Sequence, residues 1–321
     1  MEALKEDSHR LSVVIDIGAT NIRFARLTYQ GDPGPIVKFT TAEFSDLQTA
    51  LAQFLKSEGG PDPVRIALAV AGPVHGDNVK LTNVDWQFSI RQLTRDLSLE
   101  QLVVVNDLEA MALVLPHLAS GEKEPIGVTP GMQSSKAPMA VLCPGTGMGI
   151  AGLIPVDQGW RPIATEGGHT SLSPLTAKEM AVWQLLQERY GRVSVERVLS
   201  GPGLIVLCSA LASLEGQEAG AVRPEDIVNG ESPLAAKTLE MFCAWLGDVA
   251  GDVALMYVAR GGVYLAGDIL LSIFEILKRS QFRHRFENKG RGIGIVTATP
   301  TFLVSCESPV LRGCAYLLDS F

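Results

Sequence analysis

Short apolar runs in this chain are each followed directly by a glycine-rich or polar turn. They read as strands because they are short, rich in β-branched residues and bounded by turn signals. The runs are 11–17, 64–70, 102–105, 139–143 and 263–266. Helical patterns separate several of them, and this alternation predicts an α/β fold. Ligands of such folds bind outside the carboxyl ends of strands, where these turns lie.

The positions of apolar and turn residues predict further elements. An extended pattern resumes from Ile22 to Leu27 after the first turn, so the first two strands should form a hairpin. A third strand is predicted at 36–40. Thr176 and Glu179 form a capping box for a helix that runs to Tyr190. Other helices are predicted at 47–55, from Asp107 through Leu115, at 234–258, after Asp268 and at 309–318.

The length of 321 residues favours two domains, because a single hydrophobic core rarely keeps growing at this size. A segment rich in Gly, Pro, Ser and Lys, residues 117–137, places the boundary near its start. The last helix is expected to return to the first domain. The prediction is a small α/β domain of residues 11–116 plus 309–321, and a large α/β domain of residues 117–308.

Composition argues against several classes of protein. The net charge is −8 and no run of Lys and Arg stands out, so a nucleic-acid footprint is not indicated. The N-terminus lacks the pattern of a signal peptide, and Asp248 and Asp252 interrupt the most apolar long stretch, so no membrane association is expected. The cysteines number five and are scattered, which is typical of reduced thiols. A cytoplasmic location is expected.

Two turns are candidates for holding phosphate. Residues 16–21 form a tight turn between two strands whose N–H groups suit phosphate oxygens, and Asp16 could hold Mg²⁺ through water. An ordinary hairpin turn is the alternative. Residues 147–152 spell G-x-G-x-x-G, but they run into a predicted strand rather than a helix. A phosphate-holding β-turn around Gly145 to Gly147 therefore fits better than a dinucleotide site.

Two further clusters carry candidate chemistry. Asp107 opens a helix after a strand, so it is either a helix cap or a base that accepts a hydroxyl proton during phosphoryl transfer. Glu166 and His169 flank paired glycines, and Glu196 follows thirty residues later. Their carboxylate and imidazole groups match sugar hydroxyls. A metal pair is the alternative, although neither a Cys cluster nor a second close His accompanies it.

Each of the following motifs is weak evidence by itself, but together they identify a resemblance to a known family. They are D-I-G-A-T-N at 16–21, A-G-P-V at 71–74, T-N-V-D-W at 82–86, V-N-D-L at 105–108, P-G-T-G-M-G at 144–149, E-G-G-H at 166–169, E-R-V-L-S-G-P-G at 196–203, L-A-G-D at 265–268 and F-E-N-K-G-R at 286–291. In number, order and spacing they resemble the bacterial glucokinase family, of the actin–hexokinase–Hsp70 superfamily. The resemblance runs from about Val13 to the end.

The resemblance implies a two-domain actin/hexokinase-like (ribonuclease H-like) fold whose interdomain cleft holds the sugar. The implied reaction transfers the γ-phosphoryl group of ATP to the 6-hydroxyl of glucose, the first step of glycolysis, with Mg²⁺ as cofactor and Asp107 as catalytic base. The implied partners are glucose and ATP, and a homodimer is possible within the family. Nucleic acid and membrane are not implied as partners.

The resemblance also assigns residues to each ligand. The implied glucose contacts are Gly72, Asn83, Asn106, Asp107, Glu166, His169 and Glu196. The implied ATP contacts are Ile15, Asp16, Ile17, Gly18, Ala19, Thr20, Asn21, Gly145, Thr146, Gly147 and Gly267, with Asp16 near Mg²⁺.

The chain departs from the family pattern at three places. Ala19 stands where the family usually has a second glycine, which requires a negative φ there. Asp268 stands where glycine is usual beside the nucleotide, and a carboxylate near phosphates is unfavourable unless it points away. The Cys-rich zinc motif of the related ROK sugar kinases and repressors is absent from this sequence.

Other functions on this fold remain alternatives to a glucokinase. A sugar-sensing repressor would need a DNA-binding helix-turn-helix, and only about ten residues precede the first predicted strand. A catalytically weak or inactive sugar-binding relative is disfavoured by Asp107 but left open by Asp268. An ATPase or another acyl or sugar kinase is disfavoured by the E-G-G-H motif together with Glu196.

Overall fold

The computed structural model describes residues 11–18, 20–81, 84–128, 136–217, 220, 223–230 and 232–319. Its backbone contacts divide the chain into two compact units. The first unit comprises Met1–His117, Gln158–Ala164 and Glu307–Phe321, and the second comprises Leu118–Asp157 and Thr165–Cys306. The domain limits expected from the sequence stay a prediction.

The first unit is built on a mixed sheet. Its strands are β1 Ser12–Ile17, β2 Asn21–Arg26, β3 Val37–Thr40, β4 Arg65–Val70 and β7 Gln101–Asn106, in the order β3-β2-β1-β4-β7. Strands β1 and β2 pair antiparallel, so the predicted hairpin is confirmed. Strands β1, β4 and β7 run parallel. A separate small hairpin consists of β5 Asn78–Lys80 and β6 Gln87–Ser89.

Helices cover both faces of this sheet. They are α1 Leu47–Glu58, α2 Ile90–Asp96, α3 Asp107–Val114 and α13 Pro309–Asp319. Alternate residues of a strand face opposite sides. Val13 and Ile15 accordingly pack in the core under α1, whereas Val14 packs in the core formed with α3 and α13. Asp16 has the same parity as Val14, so its side chain belongs to the α3 and α13 side.

A glycine sets the distance between the two helices on that side. A Cβ atom on Gly313 of α13 would lie 1.7 Å from the carbonyl oxygen of Ala110 in α3. Only glycine lets the two backbones approach this closely. Helix α3 ends at Val114, one residue before the predicted end, and a 3₁₀ turn over Leu115–His117 contains the proline that stops it.

The second unit has its own mixed sheet. Its strands β8 Lys123–Pro125, β9 Met139–Pro144, β10 Met148–Val156, β12 Gly262–Leu265 and β13 Thr301–Val304 lie in the order β10-β9-β12-β13-β8. Strand β11 spans Gly159–Thr165. Strands β9 and β10 form an antiparallel hairpin. This confirms that a strand, and not the helix of a dinucleotide site, follows Gly147.

Nine helices pack around this sheet in the described part of the second unit. They are α4 Ala177–Tyr190, α5 Val195–Val198, α6 Gly201–Leu214, α7 Pro224–Val228, α8 Pro233–Tyr257, α9 Asp268–Ser272, α10 Phe274–Arg279, α11 Phe282–Glu287 and α12 Ile293–Val296. The predicted capping box of α4 is confirmed, and α4 ends at Tyr190 as expected. Helix α8 is buried on most of its surface, with Trp245 fully enclosed.

A buried ion cluster joins three helices of the second unit. The guanidinium group of Arg285 in α11 contacts Glu179 of α4 at 2.7 Å and also contacts Asp248 of α8. Glu179 additionally accepts the backbone N–H of Leu175. Buried charges require such partners, so loss of Arg285 would leave two carboxylates uncompensated. Separately, none of the helices in the described ranges has the length and apolar character that a membrane span requires.

Candidate active site

Three parallel strands of the first unit end at the same level of the sheet. In the pairing register Ile17 lies beside Val70, and Val70 lies beside Asn106. The turns that follow β1, β4 and β7 therefore emerge at one edge. Two candidate glucose ligands, Gly72 and Asn106, and the candidate base Asp107 come from this edge. It is the edge at which α/β folds bind ligands.

Asp107 is held at the start of α3 by a network around its neighbour. The Asn106 side chain caps the helix by accepting from the N–H of Leu108 at 2.9 Å, and it donates to the carbonyl of Gly72 at 3.1 Å. Glu109 completes a capping box by accepting from the Asn106 N–H at 3.2 Å. Asn106 is therefore the helix cap, and Asp107 carries a carboxylate at the first helical position.

The pKa of Asp107 is shifted toward neutrality. Burial and, to a smaller extent, the nearby carboxylate of Asp16 together raise the pKa of this carboxyl to about 6. The N–H of Leu108, which donates at 2.9 Å, opposes the shift. A carboxylate with such a pKa is still ionised at pH 7, yet it is a stronger base than an ordinary aspartate.

Asp16 is also buried, with 8% of its surface exposed. Burial raises its pKa, while the guanidinium group of Arg23 counteracts that shift from 2.9 Å. Arg23 lies directly opposite Asp16 in the β1–β2 register. Arg23 was not among the residues predicted from the sequence, although the predicted hairpin would have placed it there. Burial, and secondarily the same Asp16 carboxylate, raises the pKa of the Cys314 thiol in α13.

The first candidate phosphate turn is closed by local hydrogen bonds. The N–H of Gly18 donates to the carbonyl of Asn21 at 2.9 Å, and Thr41 donates its N–H to the carbonyl of Thr20. The side chains of Ile15 and Ile17 lie in the core, so these two residues can offer a ligand only their backbone. The predicted contacts at Ala19 and Asn83, and the φ expected of Ala19, lie outside the described residues.

The second candidate phosphate turn and the E-G-G-H segment meet at Met148. The N–H of Gly145 donates to the carbonyl of Gly147 at 2.8 Å, which closes the turn. A Cβ atom on Gly168 would lie 2.1 Å from the carbonyl oxygen of Met148. Residues 166–169 are here named the sugar-binding candidate loop. Glycine is required at 168 because a larger residue would prevent this loop from approaching the turn so closely.

Glu196 packs against the same turn from α5. Its Oε2 atom accepts the N–H of Met148 at 2.9 Å, and a Cβ atom on Gly147 would lie 2.4 Å from that oxygen. One carboxylate oxygen therefore fixes the turn. This contact was not expected from the sequence, where Glu196 was considered only as a partner for sugar hydroxyls.

Glu166 and His169 form a solvent-exposed pair. The His169 Nε2 and Glu166 Oε2 atoms are 3.6 Å apart, and the side chains are 60% and 67% exposed. Residues Gly167–His169 form a 3₁₀ turn, which contains His169 and is preceded by Glu166 at the N-cap position. Exposure leaves their polar atoms accessible to a ligand. No group of three or more His, Cys, Asp or Glu side chains suited to a metal ion occurs within the described ranges.

The remaining candidate nucleotide contacts surround the end of β9. Gly267 has φ of 106°, and a Cβ atom there would lie 2.9 Å from the carbonyl of Pro144. Gly201, the first residue of α6, donates its N–H to the carbonyl of Gly145 at 2.8 Å. Thr146 lies between the two glycines of the turn. Asp268 begins α9 as an exposed residue, a common place for an acidic side chain.

Comparison with known proteins decides the family. The family model described as Glucokinase matches residues 13–320.

The chain belongs to the glucokinase family.

It is 42% identical over 312 residues to a glucokinase of Nitrobacter hamburgensis, covering 96% of this chain and 97% of that protein. It is 38% identical to a glucokinase of Chromobacterium violaceum, covering 95% and 88% of the two chains.

Solved structures agree with this family. A crystal structure of a glucokinase from an Antarctic psychrotroph superposes with a TM-score of 0.88 and 36% identity, covering 97% of this chain and 99% of that one. A ROK family glucokinase from Streptomyces griseus, solved with glucose and AMPPNP, has a TM-score of 0.65 and 17% identity over 97% of this chain and 99% of that one, which speaks to the fold alone. The predicted family, the actin/hexokinase-like α/β fold class and the enzyme class, an ATP-dependent phosphotransferase, are confirmed.

Proposed function

We propose that this glucokinase-family enzyme transfers the γ-phosphoryl group of ATP to the 6-hydroxyl of glucose, with Asp107 as general base. The observation that carries the assignment of the base is the position of Asp107 at the aligned ends of β4 and β7, with a pKa of about 6. A coupled assay of ADP formation over a panel of hexoses tests the reaction. Glucose should be the preferred acceptor, and absence of ADP formation with every hexose would favour the alternative of an inactive sugar-binding relative.

The base role rests on the chemistry of phosphoryl transfer. The transferred group needs positioning and charge stabilisation more than covalent chemistry, and the attacking hydroxyl must lose its proton. Asp107 can accept that proton as the new O–P bond forms. Its fixed place in the first turn of α3, next to the cap made by Asn106, restricts the directions in which the carboxylate can point.

The raised pKa predicts a pH profile. Asp107 works as a base only when ionised, so kcat/KM should fall below pH of about 6, by about tenfold per pH unit. An ordinary aspartate would remain ionised down to pH of about 4. The measurement is kcat/KM for glucose from pH 4.5 to 8 at saturating ATP, with the fold followed by circular dichroism. A profile that stays flat to pH 4.5 in folded enzyme would contradict the role of Asp107.

The nucleotide contacts are proposed from the turns. In the second unit, Gly145 to Gly147 would hold phosphate oxygens. The first residue of α6, Gly201, donates a hydrogen bond to the carbonyl of Gly145, so the positive end of the α6 dipole lies beside this turn and favours a phosphate there. Gly267 would border the adenosine. In the first unit, residues 18–21 would contact phosphate through backbone N–H groups other than that of Gly18, which already donates to the carbonyl of Asn21.

Magnesium is proposed as the cofactor. Mg²⁺ usually binds through one or two carboxylates, several waters and the phosphates of its substrate, which fits a site containing Asp16 better than a cage made of protein ligands alone. One oxygen of Asp16 is held by Arg23, so the other would bind a coordinated water. When bound, the ion would supply positive charge to the ATP phosphates.

The sugar contacts are proposed for Glu166, His169 and Glu196 in the second unit and for Gly72 and Asn106 in the first. A site that hydrogen-bonds a hydroxyl discriminates against sugars that lack it, because its own polar groups are then left unpaired. The enzyme should prefer glucose to 2-deoxyglucose and 1,5-anhydroglucitol by roughly five- to hundred-fold in kcat/KM.

His169→Ala and Glu166→Gln should narrow this preference while leaving the KM for ATP nearly unchanged. The matched control is Glu275→Gln, which removes an exposed acid paired with Lys278 elsewhere in the second unit. Comparison of kcat/KM for the three sugars in these variants checks the assignment. If wild type and both variants showed the same preference for glucose over the other two sugars, these side chains would not contribute to sugar recognition.

Several finer expectations stay predictions. A cytoplasmic location, a role in glycolysis and a homodimeric assembly are also proposed.

A further inference from the structure

The second unit contains a cavity of about 450 Å³ behind the loop that carries Glu166. One wall is the stretch of α8 from Asp248 to Tyr257, and the opposite wall is the segment from Thr165 to Ser173. Its volume lies within the usual range of sites for small organic ligands, about 300–1,000 Å³. The phosphate turn at 145–147 does not line it, so the cavity is separate from the proposed nucleotide contacts.

The lining has an apolar floor. It is formed by Ile150, Leu172, Val195, Val249, Val253 and Met256. Met256 is 72% exposed at the edge of the cavity, which is unusual for a large apolar side chain. An apolar ligand body would cover this surface and gain the free energy of removing it from water.

The charged side chains of the lining are all acidic. Asp248 pairs with Arg285, which it shares with Glu179, and Asp252 pairs with Lys289 at 2.7 Å, so both already have cationic partners. Glu166 is different because it is 67% exposed and its ion-pair partner, His169, lies 3.6 Å away. No Lys, Arg or His lines the cavity within the described ranges, so the site disfavours anions and leaves one carboxylate available to a cation.

Hydrogen bonds connect the cavity wall to the sugar-binding candidate loop. Tyr257 of α8 and Thr165 both line the cavity. Thr165 donates to the carbonyl of Ile150 at 2.7 Å and accepts the N–H of Gly167 at 3.1 Å. Glu166 lies between Thr165 and Gly167. A ligand in the cavity would therefore contact the residues that position Glu166.

We propose that this cavity binds a small organic cation with an apolar body, and that the bound cation weakens sugar binding by engaging Glu166. The apolar part would lie on Val249, Val253 and Met256, and the ammonium group would pair with the Glu166 carboxylate. The second half of this proposal rests on the proposed role of Glu166 in reading the sugar. The first half does not.

The probe is 2-phenylethylamine, and 2-phenylethanol is its neutral counterpart of similar shape. Isothermal titration calorimetry without sugar or nucleotide should detect binding of the amine, about tenfold tighter than the alcohol, because a hydrogen bond to a charged group is stronger than a neutral one. Ser173→Trp, at an exposed lining position, should fill the cavity and weaken amine binding by at least about tenfold. Ser213→Trp, at an exposed position of α6 outside the lining, is the matched control.

Three results would overturn the binding site: no heat of binding with the amine in wild type, equal affinity for amine and alcohol, or equal weakening by the two tryptophan variants. Saturating amine should also raise the KM for glucose severalfold and leave the KM for ATP unchanged, whereas an unchanged KM for glucose would overturn the coupling. Failure of the proposed reaction would appear separately, as absence of glucose phosphorylation in enzyme without amine.

Discussion

Replacing Asp107 with asparagine should lower kcat by about 10²–10⁴ without loss of the folded state. Asparagine keeps the size of the side chain and can still accept the N–H of Leu108, but it cannot take a proton from the attacking hydroxyl. The KM for ATP should change little. The measurement is kcat from the coupled ADP assay, together with the melting temperature of each protein.

Stability separates this result from simple damage to the fold. The pKa of Asp107 is about 6 in the folded protein and is above its ordinary value, so the ionised carboxylate destabilises the folded state at pH above about 4. This loss of folding free energy grows as the pH rises from about 4 to about 6 and stays constant at higher pH. At pH 7 the Asn variant should therefore melt at the same temperature as wild type or higher.

The matched control is Asp157→Asn, which changes an exposed aspartate in the turn between β10 and β11. It should alter neither kcat nor the melting temperature. A folded Asp107→Asn enzyme with near-normal kcat would show that Asp107 is a helix-start residue without a base role, which is the alternative reading of its position.

Gly168→Ala should lower kcat/KM for glucose by about 10² or more. The added methyl group would lie 2.1 Å from the carbonyl oxygen of Met148, so the backbone has to move apart. Movement there displaces Glu166 and His169 on one side and the turn before Met148 on the other. Overpacking of this kind also costs about 1–3 kcal/mol of stability.

Gly294→Ala provides the matched control. It introduces the same methyl group in α12, where a Cβ atom meets nothing within 4 Å. This variant should retain wild-type kcat/KM. Both enzymes should be assayed at a temperature where circular dichroism shows that they are folded. Normal sugar kinetics in folded Gly168→Ala enzyme would mean that the loop does not depend on close contact with Met148.

Local sequence patterns predicted much of the architecture. Strand β1 was recognisable because a run of β-branched residues ends in a glycine turn, and its hairpin with β2 followed from the pattern that resumes at Ile22. The capping box of Thr176 and Glu179 located the start of α4, since the donors and acceptors of a helix cap lie within four residues. Such signals involve neighbours along the chain, so a single sequence contains them completely.

Some features of the candidate site were present in the sequence but were not recognised. Asn106 and Glu109 have the spacing of a capping box, which would have separated the role of Asn106 as the cap from that of Asp107. Arg23 was missed in the same way, although the hairpin register places it opposite Asp16.

Tertiary structure alone decided the properties that depend on residues far apart in the chain. Asp107 has a pKa near neutrality because the fold buries it near Asp16, and neither burial nor that distance is a property of the local sequence. Gly168 is required because Met148 of β10, twenty residues earlier in the chain, lies against it. Glu179 was predicted as part of a helix cap, yet it also compensates the buried charge of Arg285 on α11. The sequence determined which chemical groups stand at which strand ends and helix starts, because backbone propensity and capping act over a few residues. The pKa of a carboxylate and the space beside a glycine arise from packing between distant segments, so only the tertiary structure could decide them.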